Sequence, residues 1–462
     1  MLFSSSIFLF LFLPLLLAVY FLIPSKYRET RNNVLLLASL GFYAWGEPVF
    51  VFVMILSILV NYICGFIAVK HKRIGVALAT VIGLGLLIYY KYTILLVSSA
   101  NSLFGFNLPV PEIVLPIGIS FFTFQGLSYV IDVARGDAPV QKNPLHVALY
   151  VALFPQLIAG PIVRYQTVAD EISNRHENIT EAAEGARRFM LGLAKKMLIS
   201  NAMGQIADDV FALTSSQLTW DIAWIGAFAY TMQIYFDFSG YSDMAIGLGK
   251  IFGFHFLENF NYPYISQSIT EFWRRWHISL STWFRDYVYI PLGGNRCSKP
   301  RWLFNILAVW TLTGIWHGAA WNFMLWGFYF GIILIIEKVL LNKVLERLPS
   351  AIRWIYSFLL IMIGWVIFRS ESLAQIVWYI KAMFTPSDGI NRLTYYVLNQ
   401  YGVELIAACI CSIPVVKWLR KKEQQYGGLL TIGENIWAMA MFGLSIVWLI
   451  SSSFNPFIYF RF

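Results

Sequence analysis

One histidine lies deep within an apolar stretch, Thr311-Leu-Thr-Gly-Ile-Trp-His-Gly-Ala-Ala-Trp-Asn322. His317 follows Arg301 by 16 residues, which is about 24 Å along a helix and well inside a bilayer. A lone histidine in a soluble apolar segment favours a structural role, but an ionisable group at membrane depth is a functional candidate. A neutral imidazole, the form that burial favours, can take a proton from an attacking hydroxyl. We therefore predict that His317 is the principal catalytic residue of an ester-forming reaction.

The residues around His317 strengthen this prediction. Trp316 precedes it, and Asn322 can orient the imidazole or support an oxyanion. Gly314 and Gly318 permit a helix break or a close approach of two backbones.

A second histidine lies in the segment from Glu271 to Gly294, which mixes charged and aromatic side chains around His277. The segment is shorter than a spanning helix, and its basic residues occupy more than one helical face, which lipid would not accept cheaply. It is either an amphipathic interface helix with extended arginines or the cytoplasmic wall of a cavity. In the second case Arg274 or Arg275 would meet the phosphate of an anionic donor. Trp276 and Asp286 of this segment are further candidate site residues.

Two other segments place polar groups in apolar surroundings. Tyr235 to Asp243 contains Asp237, Tyr241 and Asp243, and we expect paired or hydrogen-bonded carboxylates that organise a cavity. A metal site is disfavoured there because the spacing has no confirming ligand set. Gln156 lies in Phe154 to Pro161, where two prolines and a glycine predict a broken helix or re-entrant loop that lines a tunnel.

The composition indicates a single membrane domain that positions these residues. Hydrophobic residues make up 58% of the 462 and charged residues 13%, against about 45–50% and 25% in soluble proteins. The net charge of +9 comes from basic residues that lie in short loops between apolar runs. This distribution indicates how the chain is oriented in the membrane and argues against a nucleic-acid partner. The four cysteines form no CxxC motif, so we predict neither a disulfide nor a metal. We predict one domain over residues 1–462, with a catalytic core at about 113–340.

Alternation of apolar runs and basic loops predicts an all-α polytopic membrane protein, lying in the bilayer with both termini extracytoplasmic. We expect roughly 10–12 transmembrane helices with additional re-entrant and interfacial helices. The predicted runs are 6–23, 33–45, 48–69, 74–98, 113–133, 145–160, 221–248, 303–337, 351–368, 401–416 and 434–453.

The central runs break this alternation. The runs 145–160, 221–248 and 303–337 are flanked by basic residues in a way that three plain crossings cannot connect. At least one of these runs must enter and leave the membrane on the same face or consist of two half-helices. Non-helical backbone at membrane depth is tolerated where it is buried in protein or lines a cavity.

The polar stretch 179–210 predicts an interfacial helix on an anionic leaflet. We expect Thr180 to cap its start. Lys195 and Lys196 belong to the predicted solvated face, and Leu193 and Met197 to the apolar face.

These segments resemble the membrane-bound O-acyltransferase family, and most closely its alginate O-acetyltransferase branch. The similarity runs over most of the chain. The matching pieces are Gln125–Asp132, Phe154–Pro161, Tyr235–Asp243, Glu258–Tyr264, Phe272–His277, Trp283–Gly294 and Trp316–Asn322. The last three of these pieces are specific to the family.

The resemblance implies two functional histidines, which map onto His277 and His317, and a funnel-shaped core of helices and re-entrant loops. It implies no cofactor but an acetyl donor on the cytoplasmic side, with acetyl-CoA expected. The acetyl group would cross the inner membrane of a bacterium toward an extracytoplasmic polysaccharide such as alginate, with a periplasmic transferase as partner protein.

Several alternatives stay open from the sequence. His317 is either a general base or an acyl carrier, and the acceptor is alginate, cellulose, another exopolysaccharide or peptidoglycan. The D-alanyl or teichoic-acid branch of the same family is a further alternative. A polymer or small-molecule transporter with re-entrant helices is disfavoured because no repeat relates the two halves.

Overall fold

The computed structural model describes residues 1–158, 160–387, 389–420, 428–452 and 454–461, and within these ranges it contains helices and no strand. The α-helices are α1 (Leu13–Leu22), α2 (Arg28–Ala44), α3 (Phe50–Lys70), α4 (Lys72–Leu87), α5 (Thr93–Phe104), α6 (Ile119–Arg135), α7 (Pro144–Ala152), α8 (Phe154–Leu157), α9 (Tyr165–Asn174), α10 (Ile179–Ala194), α11 (Asn201–Phe211), α12 (Trp220–Ile251), α13 (Ile269–Arg275), α14 (Ile278–Phe284), α15 (Lys299–His317), α16 (Trp321–Ile336), α17 (Asn342–Leu345), α18 (Ser350–Arg369), α19 (Leu373–Phe384), α20 (Arg392–Cys411), α21 (Val415–Arg420) and α22 (Leu429–Ser451). Short π-helical turns lie at Phe8–Phe12, Ile88–Tyr92, Lys195–Ser200, Arg285–Tyr289 and Glu337–Leu341, and 3₁₀ turns at Pro263–Ile265 and Ile458–Arg461.

Five helical stretches in the described ranges are long and apolar enough to cross a membrane. They are Phe50–Lys70, Lys72–Phe104, Trp321–Leu345, Ser350–Arg369 and Leu429–Ser451. The all-helical membrane architecture predicted from the apolar runs is therefore confirmed. One predicted run is misplaced, because the span expected at 401–416 is the helix Arg392–Cys411, which Asn391 caps by accepting a hydrogen bond from the Leu393 amide at 2.9 Å.

The run 303–337 is a helical hairpin rather than one crossing. Helix α15 ends at His317, three residues in extended or bent backbone follow, and α16 begins at Trp321 and leads back toward Lys338. The run 145–160 is also broken, into α7 and α8 at Leu153. By contrast, 221–248 lies within the continuous 32-residue helix α12. The structure thus confirms that the central runs are not three plain crossings.

Two glycines allow the hairpin helices to touch through their backbones. A Cβ atom added at Gly314 of α15 would lie 2.3 Å from the carbonyl oxygen of Phe323. A Cβ atom added at Gly327 of α16 would lie 2.3 Å from the carbonyl oxygen of Trp310. Any side chain at these positions would push α15 and α16 apart, so the glycines set the position of His317 at the hairpin turn.

The segment around His277 is two short helices and not one. Ser268 caps α13 by accepting a hydrogen bond from the Glu271 amide at 3.0 Å. The helix stops at Arg275, and His277 adopts a left-handed conformation with φ of 44° before α14 begins. The Ile278 amide donates to the Asn259 carbonyl oxygen at 2.9 Å, which satisfies a backbone donor at the break.

The described chain divides into two units. The first consists of Met1–Phe189 and Tyr241–Leu257, and the second of Met190–Gly240 and Glu258–Phe462. Both histidines belong to the second unit.

The helix predicted within 179–210 is present, but two of its details were predicted wrongly. Asn178 and not Thr180 caps α10, because the Asn178 side-chain oxygen accepts the Thr180 amide hydrogen at 2.9 Å. Lys196 is not on a solvated face. Its side chain is 3% exposed and forms an ion pair with Asp237 of α12 at 2.7 Å. A buried carboxylate within reach outweighs the helical pattern that placed Lys196 on the surface.

Candidate active site

His317 is enclosed by aromatic rings at the turn of the hairpin. It is the last residue of α15 and is buried. Its ring packs edge-to-face against Trp326 of α16, with centroids 5.1 Å apart, and against Phe368 of α18, at 5.3 Å. Rings on α16 and α18 therefore hold the imidazole in place and keep water away from it.

His277 lies close to His317, with one indole between them. The Trp316 ring centroid is 6.3 Å from that of His277 and 5.0 Å from that of His317. Both histidines line the same cavity. The structure thus brings together the two histidines that are 40 positions apart in the sequence.

A hydrogen bond from the imidazole fixes the orientation of His277. Asn259 Oδ1 lies 3.2 Å from His277 Nδ1, and the same oxygen accepts hydrogen bonds from the amide and hydroxyl of Ser279 at 3.2 and 2.9 Å. Burial lowers the pKa of His277 below its usual range, because removal from water disfavours the imidazolium. This histidine is therefore neutral at physiological pH.

The cavity that contains the histidines is a narrow apolar slot of about 170 Å³. It follows α15 from Ile306 to His317, which is about 16 Å along the helix. Its other walls come from α13, α14 and α16. The lining residues are Trp273, Trp276, His277, Leu280, Ser281, Phe284, Arg285, Tyr289, Ile306, Val309, Trp310, Thr313, His317, Leu334 and Lys338.

A charged cavity of about 420 Å³ adjoins this slot, and Lys338 lines both. Its cations are Arg274, Lys338 and Arg353. Two of its carboxylates are already engaged, since Glu271 pairs with Arg275 at 2.9 Å and Glu337 accepts the Thr270 amide hydrogen at 2.9 Å.

A third cavity of about 580 Å³ lies at the other end of α18. Arg353 of the charged cavity and Arg369 of this one are separated by 16 positions, or about 24 Å along the helix. Phe368 lines this third cavity and also packs against His317. His317 therefore lies between the slot and the third cavity. The lining residues are Asp208, Tyr230, Ala320, Asn322, Phe323, Phe368, Arg369, Ser370 and Glu371.

The candidates on α13 and α14 have different surroundings. Arg274 is exposed and lines the charged cavity, whereas Arg275 is committed to Glu271 and to the Asn261 carbonyl oxygen at 3.1 Å. Of the two arginines, Arg274 is thus the one that faces a binding space. Trp276 is buried against Trp365, with centroids 4.8 Å apart.

The remaining candidates of the second unit serve as supports. Asp286 pairs with Arg285 at 2.6 Å beside the slot. Asn322 donates its amide hydrogen to the Phe368 carbonyl oxygen at 3.0 Å and so ties α16 to the end of α18. Asp237, besides its pair with Lys196, accepts the amide hydrogen of Ile458 at 2.8 Å.

Three candidates lie in the first unit and not with the histidines. Tyr241 is buried and stacks on Phe3, with centroids 4.5 Å apart. Asp243 pairs with Arg188 at 2.8 Å, so both aspartates of this α12 segment are paired as expected. Gln156 is buried in α8 and donates to the Tyr150 carbonyl oxygen.

The sequence did not single out Asn259, Lys338 or Phe368. Asn259 lies within Glu258–Tyr264, one of the segments that carry the family resemblance, but an asparagine at a turn has many structural roles. Lys338 was interpreted only as a marker of orientation, and no pattern distinguishes Phe368 from other apolar residues. Within the described part of the chain, no group of three or more His, Cys, Asp or Glu side chains could hold a metal ion.

Comparisons with known proteins agree on one family. The family model of the membrane-bound O-acyltransferases matches residues 113–370. A probable alginate O-acetylase of Azotobacter vinelandii is 42% identical, over 100% of both chains. One of Pseudomonas aeruginosa is 47% identical over 83% of this chain and 75% of its own. A peptidoglycan O-acetyltransferase of Helicobacter pylori is 30% identical over 100% of this chain and 98% of its own.

Proposed function

The chain belongs to the membrane-bound O-acyltransferase family and is an O-acyltransferase, and on this premise we propose the following reaction. The protein takes an acetyl group from a cytoplasmic thioester, acetyl-CoA, and moves it across the inner membrane for O-acetylation of an extracytoplasmic polysaccharide. Alginate is the polymer that the relatives named alginate O-acetylases suggest.

The observation that carries the proposal is the path from the charged cavity to the histidines. A narrow apolar slot that begins beside cations and ends at a general base fits a donor with an anionic head and a long thin arm. The anionic head would lie against Arg274, Lys338 and Arg353, where charge-assisted hydrogen bonds are strong. The arm would follow α15, which would place the thioester beside His317.

We infer from the distribution of charge which cavity faces the cytoplasm. Lys338, Lys343 and Arg347 lie at or beyond the end of α16 that the charged cavity occupies, and basic residues favour the cytoplasmic side. The donor would therefore enter from the cytoplasm. The third cavity, at the opposite end of α18, would then face outward and receive the acceptor hydroxyl.

The chemistry is a single acyl transfer in which His317 is a general base. The acceptor hydroxyl oxygen attacks the thioester carbonyl carbon while its proton moves to the neutral imidazole. The new C–O bond forms, the C–S bond breaks, and the imidazolium returns the proton to the departing sulfur. The products are an acetyl ester and a free thiol. The aromatic rings around His317 exclude water, which would otherwise hydrolyse the donor.

The position of His317 between two cavities suggests how transfer proceeds across the membrane. The donor need not cross, because its thioester would reach His317 through the slot, while the acceptor hydroxyl would reach it from the third cavity past the ring of Phe368. The acceptor would be presented by a separate periplasmic transferase, with both termini of this chain on that outer side.

Replacing His317 tests the proposal. A strain that lacks this gene is complemented with the wild-type chain or with His317→Ala, and the O-acetyl esters of the exported polysaccharide are counted. The wild-type chain restores the esters. The variant restores less than about one thousandth of the wild-type amount, which is the rate loss expected when a general base is removed. Protein level and membrane insertion are measured in parallel. His71→Ala, at an exposed loop histidine, serves as the matched control and restores the esters fully.

Esters retained with His317→Ala would remove the catalytic assignment. Loss of acetyl groups from peptidoglycan instead of the exopolysaccharide would change the acceptor. Loss of D-alanyl esters would place the chain with the teichoic-acid transferases.

A further inference from the structure

We propose that Asn259 is a positioning residue that holds His277 as the tautomer with its proton on Nδ1, leaving Nε2 as a proton acceptor in the slot. The inference rests on the proposed function and extends it, because it gives His277 a proton-accepting nitrogen in the slot that it shares with His317. It assigns a role to a residue other than the two histidines, and the role follows from hydrogen-bond geometry.

The three bonds to Asn259 determine where the His277 proton lies. A backbone amide can only donate, so the Asn259 atom that contacts the Ser279 amide at 3.2 Å is the carbonyl oxygen. The Ser279 hydroxyl donates to this oxygen at 2.9 Å. His277 Nδ1 contacts the same oxygen at 3.2 Å, and two acceptors do not bond each other. Nδ1 must therefore carry a hydrogen, and in a neutral ring the lone pair is on Nε2.

The backbone around His277 makes this geometry rigid. His277 has φ of 44°, a left-handed conformation that few non-glycine residues adopt and that the contacts around it hold in place. The Ile278 amide donates to the Asn259 carbonyl oxygen at 2.9 Å, so the main chain and the side chain of Asn259 both hold the start of α14. On the other side of the break, the Asn261 amide donates to the Arg275 carbonyl oxygen at 2.9 Å. The rings of Phe260 and Phe238 flank the imidazole, with centroids at 6.1 and 6.4 Å.

The charges near His277 favour its neutral form. The titratable and charged groups of the slot are His317 of α15, Arg285 and Tyr289 after α14, and Lys338 after α16. On α12, Asp237 precedes Phe238, but its charge is matched by Lys196 at 2.7 Å. No carboxylate is among the described residues that line the slot. Neighbouring cations and burial both oppose protonation of the imidazole, so Nε2 keeps its lone pair.

Changing Asn259 to aspartate supplies the missing carboxylate. Asn259→Asp keeps the size and the accepting oxygen but places a negatively charged carboxylate beside Nδ1, which stabilises the imidazolium and raises the pKa of His277. Below that raised pKa, Nε2 carries a proton and cannot accept one. Above it, the wild-type state returns. The variant should therefore be poorly active in acid and regain activity as the pH rises.

The experiment uses the full chain in membrane vesicles that retain the periplasmic transferase, with acetyl-CoA as donor and deacetylated alginate as acceptor, and follows released thiol. Because burial lowers the pKa of His277 below this range, the wild-type His277 stays neutral and the rate changes little between about pH 6 and pH 8.5. Asn259→Asp loses about 100-fold at the acid end and recovers most of it at the alkaline end. Asn259→Leu, of similar size but without an acceptor, loses about 100-fold throughout. Ser279→Ala removes a different donor to the same oxygen and costs less than about tenfold.

A second measurement does not depend on activity. Histidine labelled with ¹⁵N in the protein in lipid nanodiscs reports which ring nitrogen is protonated, and the His277 signals are those lost in His277→Gln. Wild type should show a protonated Nδ1 and a bare Nε2, and Asn259→Leu should lose this preference. A wild-type His277 with its proton on Nε2 would overturn the proposal, as would pH profiles of wild type and Asn259→Asp that differ only by a constant factor. If the wild-type chain transfers no acetyl group, the proposed function fails while the spectra still decide the tautomer.

Discussion

The two histidines share one cavity, but two different kinds of structure hold them. His317 stands at the turn of a helical hairpin, where aromatic rings and a backbone contact at Gly314 fix it. His277 stands at a break between two short helices, where a left-handed backbone and Asn259 fix it. Packing decides where a ring lies and how dry it is, whereas a hydrogen bond decides which nitrogen bears the proton. The comparison predicts that substitutions around His317 and substitutions around His277 impair the protein in different ways.

The largest effect is expected from the hairpin. Gly314→Leu introduces a side chain where a Cβ atom already lies 2.3 Å from the Phe323 carbonyl oxygen, and overpacking of this kind costs about 3 kcal/mol or more. We expect complete loss of acetyl transfer and a lower thermal midpoint in detergent. The matched control is Gly402→Leu, since nothing lies within 4 Å of a Cβ atom there. Full activity of Gly314→Leu would show that close helix packing does not position His317.

A smaller effect is expected from substitutions at the helix break at His277. Two different substitutions there distinguish the loss of the imidazole from the strain of the left-handed backbone. His277→Asn removes the imidazole but tolerates a positive φ, whereas His277→Val adds a β-branched side chain that costs roughly 1–2 kcal/mol in that conformation. Both variants should lose about 100-fold in turnover. Only the valine variant should also unfold at lower temperature. Equal thermal midpoints would contradict the interpretation of this turn as a strained one.

The smallest effect is expected at the charged cavity, which precedes both histidines on the proposed donor path. Arg274→Gln and Lys338→Gln each remove a cation, and a lost charge-assisted hydrogen bond corresponds to about tenfold in affinity. The KM for acetyl-CoA should rise by about tenfold with kcat nearly unchanged. Arg347→Gln, which removes an exposed cation that lines none of the cavities described above, serves as control. A fall in kcat without a change in KM would place these residues outside donor binding.

Much of this architecture could be predicted from the sequence because membranes impose simple rules. Apolar length predicted the five long apolar helices of the described ranges, and the failure of the basic loops to alternate indicated the broken segments. Asp237 and Asp243 were expected to be paired, because isolated charges in apolar surroundings are too costly, and both are. The partner of Asp237 was not foreseen. Helical periodicity assigned Lys196 to the surface, and only a contact with a helix distant in sequence shows otherwise.

The sequence by itself determined that the chain is a helical membrane protein with two chemically distinctive histidines. Residue types and local spacing suffice for that, since hydropathy and helix geometry act within one segment. Only the tertiary structure decided that His277 and His317 share a slot, that Arg274 rather than Arg275 faces a binding space, and that Asn259 lies against Nδ1 of His277. Each of these depends on side chains brought together from separate helices, and the direction of a hydrogen bond exists only once both of its ends have been placed.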